Sequence, residues 1–241
     1  MSARGITVPP DDQTVRRLVI GISAEALLQQ WARQEAAPAG AAVVVETEIA
    51  ARRRGGVEWR HDDAVAVGVL ARPAALEPDR ADLGWLAAGV GAAEALDRLG
   101  GDGHRCRWPD GVDRGPAPGA AGLDVAITAT SALGPGRVDH VALVVRLAPA
   151  ASAGPIGAVS AALVDRLRAA ARALDDPAAL LDAYRNRCWL LGESVAVRLA
   201  PAGSARGRVV DIDQRGALVV ESDTGFQQRI PVGSFDQAEI L

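Results

Sequence analysis

The sequence predicts an α/β (α+β) fold: a mixed sheet packed with helices, followed by a small SH3-like β-barrel. Three observations lead there. Continuous apolar runs at 41–45 and 64–70 alternate with helical segments, as in strands buried on both faces. Residues 82–99 place Leu83, Leu86, Val90, Ala93 and Leu96 on one helical face. After Leu191 the pattern changes to short strands separated by glycine-containing turns.

Residues 1–14 read as a flexible lead. Residues 15–22 form a first strand, and Ser23 caps a helix over about 24–34. The Pro38-Ala39-Gly40 turn leads into the second strand at 41–45. A basic, glycine-containing loop spans 49–60, and 64–70 is a third strand ended by Arg72-Pro73. Gly100 and Gly101 stop the helix over 82–99. A short strand at 104–108 enters the turn Pro109-Asp110-Gly111, and 115–122 is a Pro/Gly/Ala-rich loop. Residues 123–128 and 138–147 read as a hairpin around Gly134-Pro135-Gly136. Helices follow over about 159–174 and 177–189, with Pro177 in a first turn. Short strands at 195–199, 208–213, 217–221 and 226–230 make the tail barrel. The domain division is therefore 1–14, 15–190 and 191–241.

The chain has 241 residues, a formal net charge of −4 and no lysine, so all 26 of its basic residues are arginine. This balance gives no general affinity for nucleic acid or an anionic membrane. No apolar run reaches the roughly 20 residues of a membrane helix, and the polar start lacks a signal-peptide core. Cys106 and Cys188 lie far apart in sequence and read as isolated reduced thiols, which points to the cytoplasm. His61, His104 and His140 lack metal-ligand spacing, so no metal site is expected from them. His61-Asp62-Asp63 reads as a surface turn, and Cys106 as core rather than nucleophile.

The tail carries Leu191-Gly192-Glu193-Ser194-Val195, then Gly207-Arg208-Val209-Val210, Gly216-Ala217-Leu218-Val219-Val220 and Ile230-Pro231-Val232-Gly233. Upstream stand Tyr184-Arg185-Asn186-Arg187, Arg107-Trp108-Pro109-Asp110-Gly111-Val112, Leu86-Ala87-Ala88-Gly89-Val90, and Arg52-Arg53-Arg54-Gly55-Gly56 with Trp59. In this order they resemble the biotin–protein ligase (biotin–[acetyl-CoA-carboxylase] ligase) family over roughly 16–241. The resemblance implies a biotin/lipoate ligase-like mixed-sheet domain plus the family's C-terminal barrel, in a divergent member without the N-terminal DNA-binding domain.

Family members join biotin to ATP with Mg²⁺, forming biotinyl-5′-AMP, and pass biotin to a lysine of a carrier protein. The reaction brings a carboxylate to a triphosphate, so cations and backbone N–H groups must offset the repulsion. Several positions depart from the family pattern. In the Gly/Arg loop, Ala51 and Arg53 stand at the first two glycines, while Gly55 and Gly56 follow. Arg52 falls on an arginine that meets the adenylate. The lysine of K-W-P-N-D is Arg107, its Asn is Asp110 and its Asp is Gly111. K-x-A-G-I reads Gly119-Ala120-Ala121-Gly122-Leu123 and has lost its lysine. S-T-N reads Ser23-Ala24-Glu25, and the glutamine before the loop is Glu48. G-I-G-x-N falls on Leu143-Val144-Val145-Arg146-Leu147, where bulky strand formers replace glycines and fill the pocket.

The candidate catalytic residues of an active enzyme are therefore Arg107 and Asp110. The candidate ligand-binding residues are Arg52, Arg53, Arg54, Gly56, Trp59 and Gly122. The arginine triplet reads either as a solvated turn or as a retained anion site. The 107–112 element reads either as a packing turn or as a phosphate and Mg²⁺ site. Two functions follow from the resemblance. One is a homologue with a degenerate adenylation site that binds a biotin carboxyl carrier domain or an active ligase paralogue. The other is an active ligase using ATP, Mg²⁺ and biotin. A third possibility is a new acyl or adenylate ligand in the old cleft. A homodimer through the central sheet is a further expectation from the family.

Overall fold

The computed structural model describes residues 14–59, 64–101, 103–114, 124–148 and 155–241. Gly119, Gly122 and His61, singled out above, lie outside them, as does the predicted lead up to residue 13.

The first sheet contains β1 (Val15–Gly21), β2 (Ala42–Glu48), β3 (Val65–Ala71), β6 (Val125–Gly134) and β7 (Arg137–Leu147), in the order β1-β2-β3-β7-β6. It is mixed: β1 and β2 are parallel, and the other pairs are antiparallel. The parallel pair is joined by α1 (Ala24–Gln34), whose Ser23 cap accepts from the Ala26 N–H at 3.1 Å. Helices α2 (Leu83–Gly100) and α3 (Ile156–Ala173) cover the other face, and α4 (Pro177–Arg187) follows with Asp176 capping Ala179. Pro177 occupies the first turn as expected.

Strand alternation sorts the core. Val65, Val67, Val69, Leu143, Val145 and Leu147 pack with α2 and α3. Ala66, Leu70, Ala142 and Val144 pack with Leu28 and Trp31 of α1. Gly68 lets α1 come close, since a Cβ there would fall 2.5 Å from Leu28 Cδ1. The central strands β2, β3 and β7 are thus buried on both faces over most of their length, which explains their unbroken apolar runs.

A second unit follows, with β8 (Ser194–Leu199), β9 (Ser204–Ile212), β10 (Leu218–Glu221), β11 (Gln227–Ile230) and β12 (Phe235–Ile240). They form an antiparallel sheet ordered β11-β10-β9-β8-β12. Strands β11 and β12 are its edges, so the ladder does not close as a complete barrel. The core passes without interruption into this unit, because Val195, Val209, Ile212, Leu218 and Phe235 join the same cluster as α2 and Trp108.

Two strands are additions to the reading above. β5 (Gly111–Arg114) pairs with β4 (His104–Arg107), making a small hairpin where one strand and a turn were expected. β12 pairs with β8 although half of Phe235–Ile240 is polar and its apolar residues do not alternate. It is an edge strand held by backbone pairing, so its hydrophobic period is weak. The cysteines also need correction. They are 0% and 1% exposed and free, but not isolated: Cys106 and Cys188 face each other across a parallel bridge. Tertiary folding brings the start of the second unit back against β4.

Candidate functional site

Two places gather the charged residues of interest. The first is buried between the sheet and the N-terminus of α1. Arg146 lies opposite Ala66 and Ala126, so it shares their face, the one covered by α1. Its residue exposure is 1%. Arg146 Nε donates to Glu48 Oε2 at 2.6 Å, and Nη2 donates to Glu48 Oε1 at 3.3 Å. Nη1 donates to Thr128 Oγ1 at 3.1 Å. The Ala24 N–H, at the start of α1, also donates to Glu48 Oε1 at 2.6 Å. The free N–H groups and positive dipole end of a helix favour a carboxylate there. Thr128 Oγ1 in turn donates to Glu25 Oε2 at 3.3 Å, and Thr130 Oγ1 donates to Glu25 Oε1.

A buried charge needs this degree of satisfaction, since an unpaired one costs several kcal/mol. The network accounts for every nitrogen of the Arg146 guanidinium. The residues involved are those at positions implied above for ligand contact: Glu25, Glu48 and the strand 143–147. One expectation is corrected. Val145 and Leu147 do not fill this place, because a strand alternates and they point to α2 and α3. The residues on the α1 face are Val144 and Arg146. Sequence reasoning passed over Arg146; its signal was a lone charge inside the apolar run Val141–Ala148.

The second place is a cleft of about 1060 Å³ between the first sheet's loops and the second unit. Arg53, Arg54, Arg107 and Asp110 line it together with Trp85, Trp189 and Asp236. Arg54 is not available to a ligand. It donates from Nε to Asp110 Oδ2 at 3.0 Å, from Nη1 to the Phe235 carbonyl, and from Nη2 to the Asp236 carbonyl at 3.0 Å. Its guanidinium also lies 4.7 Å from the Phe235 ring centroid. It is a tie between the two units.

Arg107 lies 3.7 Å from Asp113 and remains 40% exposed at the side chain. It passes over Gly111, where a Cβ would fall 2.5 Å from Nη2. The glycine thus makes room for the larger guanidinium. Trp108 is a joint rather than a ligand platform: Nε1 donates to the Gly216 carbonyl at 3.0 Å, and its ring meets Phe235 edge-on at 4.9 Å. Burial raises the Asp82 carboxyl at the cleft wall, against the opposing Val232 N–H. Trp189 Nε1 is buried with no hydrogen-bond partner among the described residues.

The remaining predicted residues are dispersed. The loop folds as a hairpin, with Arg53 N donating to the Val57 carbonyl at 2.8 Å and Trp59 N to the Ala51 carbonyl at 3.0 Å. Gly55 and Gly56 both take φ of +72°, a conformation that favours glycine. Arg52 turns back onto the Gly56 carbonyl at 2.8 Å. Trp59 packs with Ala51, Ala126 and Ala148, away from the cleft. The triplet therefore divides three ways: Arg52 closes its own turn, Arg53 faces the cleft, and Arg54 holds the second unit. Among the described residues, no group of His, Cys, Asp and Glu forms a metal cluster.

Residues 190–236 match the family described as biotin protein ligase C terminal domain. The fold is similar to that of a biotin protein ligase from Aquifex aeolicus in complex with biotin and ATP. That likeness has a TM-score of 0.70 at 16% identity and covers 94% of this chain and 99% of that one. This chain has the biotin protein ligase fold. Biotin protein ligase from Leishmania major in complex with biotinyl-5-AMP gives a TM-score of 0.56 at 14% identity, covering 92% of this chain and 99% of that one. The biotin acetyl coenzyme A carboxylase synthetase of Helicobacter pylori gives 0.60 at 11%, covering 89% and 98%. A search of curated proteins finds no match. No described helix is long and apolar enough to cross a membrane.

On the ligase fold the two places differ in state. The α1 face holds an internal ion pair, while the interunit cleft is open and lined by arginines.

Proposed function

We propose that this chain is a biotin protein ligase homologue whose adenylation site is closed, and that it acts by binding a biotin carboxyl carrier domain or an active ligase. In this reading the boundary falls between 190 and 191, and the protein works in the cytoplasm. The observation that carries it is the Glu48–Arg146 pair. Glu48 stands where the family resemblance places the glutamine beside the ligand carboxylate, and Arg146 completes its hydrogen bonds from within the protein. A ligand entering there must displace a satisfied buried ion pair, which costs about 3–5 kcal/mol if one partner is left unpaired. The absence of lysine removes the family's ammonium groups as well.

The residues present fit biotin and ATP poorly at the α1 face, so no adenylation step is derived there. The alternative, an active ligase, is favoured by one observation: Arg53 and Arg107 face an open cleft. In that reading Arg107 would meet phosphate and Asp110 would hold Mg²⁺, but Asp110 is already paired with Arg54.

The test is incubation of the pure protein with ATP, Mg²⁺ and biotin, followed by a search for biotinyl-5′-AMP and for transfer to a purified carrier domain. The expected result is no adenylate and no transfer, with a saturable heat on titrating the carrier domain or an active ligase. Turnover would overturn the closed-site reading. Absence of binding to either protein would overturn the partner reading.

A further inference from the structure

The two cysteines of the chain are 82 positions apart, yet the fold sets them side by side. Cys106 and Cys188 form an isolated parallel bridge, and Trp189 N donates to the Cys106 carbonyl at 3.3 Å. Paired strands lie about 4.7–4.9 Å apart, and disulfides join Cα atoms separated by about 4.4–6.8 Å. Residues paired across a bridge present their side chains to one side. Neither thiol has a place in the functions considered above.

We propose that Cys106 and Cys188 form an intramolecular disulfide when the protein meets a small-molecule disulfide oxidant, stapling β4 to the entry of the C-terminal unit. The position gives the bond a consequence. Cys106 lies two residues before Trp108, which hydrogen-bonds the second unit, and Cys188 lies one residue before Trp189, which lines the cleft. The staple therefore joins the two segments that carry Trp108 and Trp189, both of which line the cleft.

The chemistry balances as thiol–disulfide exchange. The Cys188 thiolate attacks RS–SR, forming a mixed disulfide and releasing one RS⁻. The Cys106 thiolate then attacks the Cys188 sulfur and releases the second RS⁻. Two thiol protons leave, two electrons pass to the oxidant, and the protein becomes two hydrogens lighter. Cys188 is the better first nucleophile. Burial pushes its thiol up to about 11, but the N–H groups of Leu190, Leu191 and Trp108 oppose that rise. Cys106 is driven further, by burial and by the neighbouring Cys188. Both thiols are thus held protonated in the closed fold, and exchange proceeds through local opening.

The experiment exposes the intact protein to a graded series of oxidised and reduced glutathione. Samples are quenched in acid, unfolded and alkylated, and peptides are mapped by mass. Expected are loss of both alkylatable thiols without a glutathione adduct, a linked Cys106–Cys188 peptide, and a higher thermal midpoint that returns on reduction. Cys106→Ser and Cys188→Ser should show no rise of the midpoint with oxidant. Two alkylated thiols across the whole series, or only mixed and intermolecular disulfides, would overturn the proposal. The peptide map of the unsubstituted protein decides this even where a serine variant folds poorly.

Discussion

The α1 face of the sheet and the interunit cleft carry similar charges to different ends. At the α1 face, the side chains of Arg146 and Glu48 are almost fully buried and bond each other, with Arg146 also donating to Thr128 and Glu48 also accepting from the first amide of α1. At the cleft, Arg53 is exposed and Arg107 partly so, though Arg107 lies near Asp113, while Arg54 is spent on three internal partners. The difference shows that a basic residue near an expected ligand site says little until its donors are counted. Arg146 is satisfied inside the protein, Arg54 ties the two units, and Arg53 still faces solvent.

The largest expected effect tests the buried pair at the α1 face. Arg146→Ala leaves Glu48 buried without its cation and should cost about 3–5 kcal/mol in chemical denaturation. Replacing both partners with methionine should cost far less, because two apolar side chains leave no uncompensated charge. An equal loss in the double variant would show that the pair contributes more than charge compensation, and a negligible loss in Arg146→Ala would break the distinction between the two regions.

The joint beside the cleft should be less sensitive. Trp108→Phe keeps the edge contact with Phe235 but removes the donor to the Gly216 carbonyl, leaving that acceptor unsatisfied. About 1–3 kcal/mol of stability should be lost, read by thermal or denaturant unfolding. A loss below a few tenths would mean that water replaces the indole.

The smallest effect concerns Asp97, under the hairpin that leads to the cleft. Burial raises its carboxyl, but hydrogen bonds from Arg187 and His104 outweigh it and hold the group below its ordinary value. A carboxylate lowered in the folded state adds stability above about pH 3.9, its unfolded value, and that stability is lost as pH falls through the folded value. Asp97→Asn should therefore remove roughly 0.5–1 kcal/mol at neutral pH after solvent screening. It should also flatten the acid limb of a stability–pH curve, and an unchanged limb would contradict the assignment.

The main elements were legible because their signals are local. The apolar runs gave β2 and β3, Ser23 and Pro177 marked helix starts, and the glycine-spaced tail gave most of the second sheet. β12 escaped because an edge strand gains from backbone pairing without needing an apolar period. The candidate site was legible only in part. Arg53, Arg54, Arg107 and Asp110 do converge, although Arg52 and Trp59 do not join them. Arg146 was given no role of its own, because the sequence does not reveal which face of β7 meets α1.

By itself, then, the sequence determined most of the elements, their order, the absence of any ammonium side chain and the likeness to the ligase fold. Those properties follow from residue type and short-range spacing. Only the tertiary structure decided that Glu48 neutralises Arg146, that Arg54 is tied across the units, and that Cys106 meets Cys188. These pairings join positions 98, 181 and 82 residues apart. Sheet register and the docking of the second unit set such contacts, and no local period encodes them.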